Sequence, residues 1–181
     1  MRARQIQGYT LIEMLIVIAL LALIAAVATP AFDGDNDVVL DRAAADVAAA
    51  MRFAHAEAIR TGEPYGVNAN QFGQSVKVYR LDDSVIPAVI HYDVRNPLTK
   101  QIYDLRFGGG GAEVGITSVY FKFDGFFFPQ DLIGFSGATG VPKYNDSGTI
   151  RMLETGYVRL GLDGLTRTIS VAPVTGRVTI Q

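Results

Sequence analysis

Gly8-Tyr9-Thr10-Leu11-Ile12-Glu13 runs without a break into an apolar stretch, Met14 to Ala28, that contains no charged residue. Ahead of it lies a short basic leader, Met1 to Gln7, with Arg2 and Arg4. Thr10 to Ala28 wound as a helix spans about 28 Å at 1.5 Å per residue, close to the ~30 Å hydrocarbon layer of a bilayer. The arginines hold the leader end in the cytoplasm, so the rest of the chain lies outside. Glu13 is the odd residue. An acid inside a membrane costs at least about 2.5 kcal/mol, so a carboxylate at the edge of this run implies something that pairs with it.

Composition sets the rest of the frame. The 181 residues suit one domain plus an appendage, with hydrophobic residues at 49% supplying a core. Nineteen glycines among many Val, Ile, Tyr and Phe favour a β-rich body. A net charge of −2 gives no general attraction to nucleic acid. The chain has no cysteine, which excludes a disulfide, a thiolate nucleophile and a Cys-ligated metal. Two rival readings fit part of the N-terminal segment. A secretory signal peptide would be cut after Ala28, at the small-x-small triplet Ala26-Val27-Ala28, but it gives Glu13 no purpose. A plain membrane anchor explains the length and the arginines, but neither Gly8 nor Glu13.

Gly8, Tyr9, Thr10-Leu11-Ile12, Glu13 and Met14-Leu15-Ile16-Val17 together resemble the class III leader of type IV pilins and type II secretion pseudopilins. The resemblance covers roughly the first 30 residues, and Pro30 matches the usual helix kink of that family. It implies that a prepilin peptidase cuts between Gly8 and Tyr9 and methylates the new amino-terminus at Tyr9. Phenylalanine is commoner than tyrosine at that position. The resemblance further implies that the cationic amine of Tyr9 in one subunit meets the Glu13 carboxylate of its neighbour in a filament. A matched pair is tolerated in an apolar core where a lone charge is not, so the pair selects the register.

Beyond Pro30, Asp33-Gly34-Asp35-Asn36-Asp37 reads as a polar break and solvated hinge, since the spacing of a calcium loop is incomplete. Leu40, Ala44, Val47, Met51, Ala54 and Ala58 then recur at helical spacing, predicting an amphipathic helix of about 20 residues that Thr61-Gly62 and Pro64 end. After Pro64 the period changes to two. Strands are predicted at Ser75–Leu81, Val85–Val94, Gln101–Phe107, Ser118–Phe123, Thr149–Leu153, Tyr157–Leu162, Thr166–Ala172 and Arg177–Gln181, with a hairpin turn at Asp163-Gly164. The helix end Ala58-Ile59-Arg60-Thr61-Gly62-Glu63-Pro64 and the terminal Pro173-Val174-Thr175-Gly176-Arg177-Val178 are similar to the GspH/FimT-like minor pseudopilins, whose body is a β-sandwich.

No motif carries catalysis. Gly108 to Gly111 lacks the strand-to-helix context of a phosphate loop, and His55 and His91 stand apart. Phe126, Phe127 and Phe128 cannot all face inward from a regular strand. An irregular buried loop is the favoured expectation there, with a subunit contact as the candidate function. Arg151, Arg159, Arg167 and Arg177 are spread over the terminal strands, and Arg167 and Arg177 are the candidate contacts if DNA is a partner.

The sequence therefore predicts an α+β structure, a long N-terminal helix whose first half is transmembrane, packed on an antiparallel, sandwich-like body. Its divisions are a leader (1–8), a transmembrane and filament-core helix (9–29), an amphipathic continuation (30–62) and a β-rich domain (63–181). The expected role is a non-enzymatic minor pseudopilin of type II secretion without cofactor or metal, anchored in the inner membrane with its body periplasmic. Its expected partners are the prepilin peptidase and other major and minor pseudopilins. A minor type IV pilin in pilus assembly or DNA uptake, and a secreted protein cut after Ala28, are the alternatives.

Overall fold

The computed structural model describes residues 10–28, 33–108 and 113–181. They form two compact units, Met1–Gly34 and Asp35–Gln181.

In the first unit, α1 runs from Leu11 to Ala28 and has no base in its last turn and one acid, Glu13, in its first. Among the described residues no helix is long and apolar enough to cross a membrane. The 18 residues of α1 rise about 27 Å, just short of the hydrocarbon layer. Pro30 lies outside the described residues.

The second unit holds nearly all of α2 (Asp33–Thr61) and ten strands. Helix α2 is longer than predicted, because the expected hinge Asp33 to Asp37 is wound into it. The predicted stripe is correct. Leu40, Ala44, Val47, Met51, Ala54 and Ala58 are all fully buried. Alanines at half of these positions let the helix axis approach the sheet closely, and Gly62 ends it with φ +78°.

The strands are β1 (Tyr65–Asn70), β2 (Ser75–Asp82), β3 (Val89–His91), β4 (Asp104–Arg106), β5 (Gly115–Phe123), β6 (Leu132–Phe135), β7 (Pro142–Asp146), β8 (Thr149–Leu162), β9 (Leu165–Val171) and β10 (Val178–Ile180). Every pairing is antiparallel, in the order β10-β9-β8-β7-β6-β1-β2-β3, with β4 also on β2 and β5 also on β8. The fold is thus the expected helix on an antiparallel sheet.

Strand β8 joins the two lobes of that sheet. Its first residues, Thr149 to Met152, pair with β7, and Gly156 to Leu162 pair with β9. The sequence suggests two strands here because Glu154-Thr155-Gly156 interrupts the pattern. Gly156 instead keeps the strand whole, since it faces Phe121 across the ladder and a Cβ there would stand 3.0 Å from that ring. Strands β1, β6 and β7 are not among the predicted strands. β1 and β6 carry Gly66 and Gly134, which leave room for Tyr79 of β2 to lie across them. Burial pushes the Tyr79 phenol well above its ordinary range. Val85–Val94 shrinks to β3, because Asp83 to Ala88 forms the connecting loop.

Two hydrogen-bonded devices shape the connections between strands. Gln74, at the β1–β2 turn, uses its side-chain amide as a substitute strand: Oε1 accepts from the Ile116 N–H at 2.7 Å and Nε2 donates to the Ile116 carbonyl at 3.0 Å. The second is a six-residue turn that occurs three times, at Asn96–Gln101, Ser136–Val141 and Ala172–Arg177. In each, the first residue donates to the carbonyl of the sixth and the fifth donates back to the first. In each, a threonine hydroxyl at the fourth position accepts from the sixth N–H. The fifth residue has positive φ, at Lys100, Gly140 and Gly176.

Candidate processing and assembly site

The start of α1 is built by Thr10. Its carbonyl accepts from the Glu13 and Met14 N–H groups, and its hydroxyl accepts from the Glu13 N–H at 3.3 Å. Thr10-Leu11-Ile12-Glu13 has the threonine-x-x-glutamate spacing of a helix capping box. The sequence reading missed this local role, although the spacing was visible. Glu13 sits in the first turn, where the helix dipole favours a carboxylate, and it is exposed. Gly8 and Tyr9 lie outside the described residues. From Leu11 to Ile24 every side chain is exposed, including Leu11, Ile12, Leu15, Ile18 and Leu23. An apolar helix surface open along its described side chains after Glu13 needs a partner of matching chemistry, either lipid or other helices.

The three consecutive phenylalanines separate. Phe126 is half-buried, edge-on to Tyr144, with the Arg151 guanidinium 4.8 Å from its ring centre. Phe127 and Phe128 are 88% and 70% exposed and touch only each other among the ring contacts described. The expectation of an irregular buried loop therefore holds for Phe126 alone. The arginines separate too. Arg167 pairs with Leu160 across the ladder and shares its helix-facing side of the sheet. There Nη2 contacts Asp37 and Nε contacts Asp41, each at 2.5 Å. Hydrogen bonds to Asp41 and then Asp37 raise its pKa still further. Arg177 is exposed in the last turn, and Arg159 lies over the Tyr157 ring and bonds Thr168.

An opening of about 420 Å³ lies between α2 and β4 and is lined by Val39, Ala43, Leu105 and Phe107 with Arg42 and Asp46. Among the described residues no three His, Cys, Asp or Glu side chains gather as metal ligands.

Residues 3–29 match the prokaryotic N-terminal methylation motif, the signal carried by type IV pilins. The N-terminal segment of this chain is accordingly type IV pilin-like, with Gly8, Tyr9 and Glu13 inside the matched span. No curated protein matches the chain. Among solved structures, the type IV minor pilin FimU of Pseudomonas aeruginosa aligns over 83% of this chain and 92% of its own, at 15% identity and a TM-score of 0.46.

Proposed function

We propose that this chain is a minor pseudopilin or pilin-like structural subunit rather than an enzyme. A prepilin peptidase cuts it between Gly8 and Tyr9 and methylates Tyr9. Helix α1 first anchors the subunit in the inner membrane, with the leader cytoplasmic and the β body periplasmic, and then enters the core of a filament. Glu13 receives the new amine of a neighbouring subunit, and Pro30 takes the part of the helix-kink residue that the resemblance implies. The observation that carries the reading is the methylation motif over residues 3–29, set on a helix with one acid at its start and an open apolar surface throughout its described side chains.

The proposed host is a type II secretion pseudopilus, on the resemblance of the helix end and the last turn to GspH/FimT-like subunits. Co-purification from the native host tests this, because pseudopilins and type IV pilus subunits would appear as different neighbours. A DNA-uptake role is less well supported, since Arg167 is already held by two carboxylates. Salt-sensitive duplex binding lost in Arg177→Ala would revive it.

The decisive measurement is the mature amino-terminus by mass spectrometry of protein from the native host. N-methyl-Tyr9 is expected, and a chain starting at Thr29 would overturn the proposal. Glu13→Ala should leave membrane insertion intact and abolish crosslinking to neighbouring subunits. Normal crosslinking in that variant would remove Glu13 from its assigned role.

A further inference from the structure

The acids at the start of α2 suit a helix N-terminus, but the residues around them do not favour continuing the helix. Asp33-Gly34-Asp35-Asn36-Asp37-Val38-Val39 combines glycine, β-branched residues and short polar side chains that favour turns and caps over helix interiors. Among the described side chains of α2, the first buried one is Leu40, while Val38 and Val39 are 65% and 47% exposed.

What grips these turns is the β8–β9 hairpin. Asn36 donates to the Asp163 carboxylate at 2.9 Å, and Arg167 holds Asp37 and Asp41 together. Asp37 and Asp41 are one helical turn apart, so their carboxylates would repel each other without the guanidinium between them. Asp163 sits in the Asp163-Gly164 turn, with φ +47° and +83°, which fixes where its carboxylate points. The tight turn and the helix-facing Arg167 thus bind the same two turns of α2 through polar groups.

We infer that Arg167, with Asp163, is an ionic latch that keeps the first turns of α2 wound, and that opening it lets residues 33–39 unwind while the core helix from Leu40 onward stays in place. Unwinding those seven residues from 1.5 to about 3.4 Å each would lengthen the connection by about 13 Å. The latch itself does not depend on the filament reading. Its use does: in a filament subunit it would set how far the segment before the body extends under tension.

Hydrogen exchange of the full chain in detergent micelles tests it. The amides of residues 38–43 donate to carbonyls within the latched turns, and those of 47–58 serve as the internal reference. Replacing Arg167 by Gln should speed exchange at 38–43 about tenfold relative to that reference. Arg167→Lys, which offers a point charge in place of a two-pronged fork, should fall between. Raising salt from about 50 mM to about 1 M, where the screening length shrinks to about 3 Å, should speed the same amides in the unaltered chain. If Arg167→Gln fails to fold, Asp37→Asn with Asp41→Asn opens the latch while leaving the arginine in place. A change below about twofold at 38–43 in a folded variant, or equal acceleration at 47–58, overturns the latch. Neither result depends on where the amino-terminus is cut, so failure here and failure of the filament proposal are separable.

Discussion

The turn at 96–101 and the turn at 136–141 share three hydrogen bonds and a positive φ at the fifth residue, yet their sequences differ at the two positions that matter most. Asn96-Pro97-Leu98-Thr99-Lys100-Gln101 stands at the surface and uses proline second and lysine fifth, with Lys100 at φ +62°. Ser136-Gly137-Ala138-Thr139-Gly140-Val141 uses glycine at both. The third turn, at 172–177, is intermediate, with Pro173 and Gly176. Turn geometry alone accepts proline and lysine, so the glycines answer to something else. A Cβ at Gly137 would overlap the Gly62 carbonyl at the end of α2. A Cβ at Gly140 would stand 2.6 Å from His55 Nε2, and one at Gly176 would stand 2.9 Å from the same ring. His55 therefore sits between two turns, one from each lobe of the sheet, with its ring also edge-on to Phe135. The backbone conformation is local, but the choice of residue is tertiary.

Substitutions can probe this contrast in a graded way. The largest effect is expected at Gly137, where backbone meets backbone and neither side can yield. Gly137→Pro would make that turn match its two relatives in sequence, yet should destabilise by about 3–4 kcal/mol or prevent folding. A urea midpoint equal to that of the unaltered protein would show that the α2 terminus can move away. Gly140→Ala should cost about 2–3 kcal/mol, combining the positive-φ cost with displacement of the His55 ring.

A double-mutant cycle isolates the part played by the ring. In a His55→Ala background the cost of Gly176→Ala should fall by about 1 kcal/mol or more, leaving the φ cost and the Gly140 carbonyl 3.1 Å from that Cβ. Additive costs would show that His55 is not what excludes a side chain there. The smallest effect is expected at the exposed turn, where Lys100→Gly relieves a non-glycine positive φ but frees the unfolded chain. The two nearly cancel, so thermal midpoints should shift by no more than about 1 kcal/mol equivalent. A large stabilisation would mean that the lysine is held there under strain.

The N-terminal segment and the α2 stripe were legible for a shared reason: their signals are carried by residues near in sequence. The apolar run, Glu13, and the spacing of Leu40, Ala44, Val47, Met51, Ala54 and Ala58 all follow from helix periodicity, and so would the capping role of Thr10 have done. Strands β1, β6 and β7 were not legible. Gly66 and Gly134 weaken the strand pattern of β1 and β6, and they become intelligible only under Tyr79. Phe127 and Phe128 could not be sorted from Phe126 by pattern, since only the position of Tyr144 decides which ring is covered.

Local sequence was enough to set the helix of the N-terminal segment, the buried face of α2, the Asp163-Gly164 hairpin and the antiparallel character of the body. These depend on periodicity and on the dihedral preferences of single residues. Three outcomes needed the folded chain: β8 runs unbroken through both lobes, Gln74 completes the pairing of β5, and the expected hinge at Asp33 to Asp37 is helical. Folding also placed Arg167 on the helix-facing side, between two carboxylates 126 and 130 positions away in the chain. Those outcomes turn on which distant side chain fills a given space or balances a given charge, and no window of neighbouring residues contains that information.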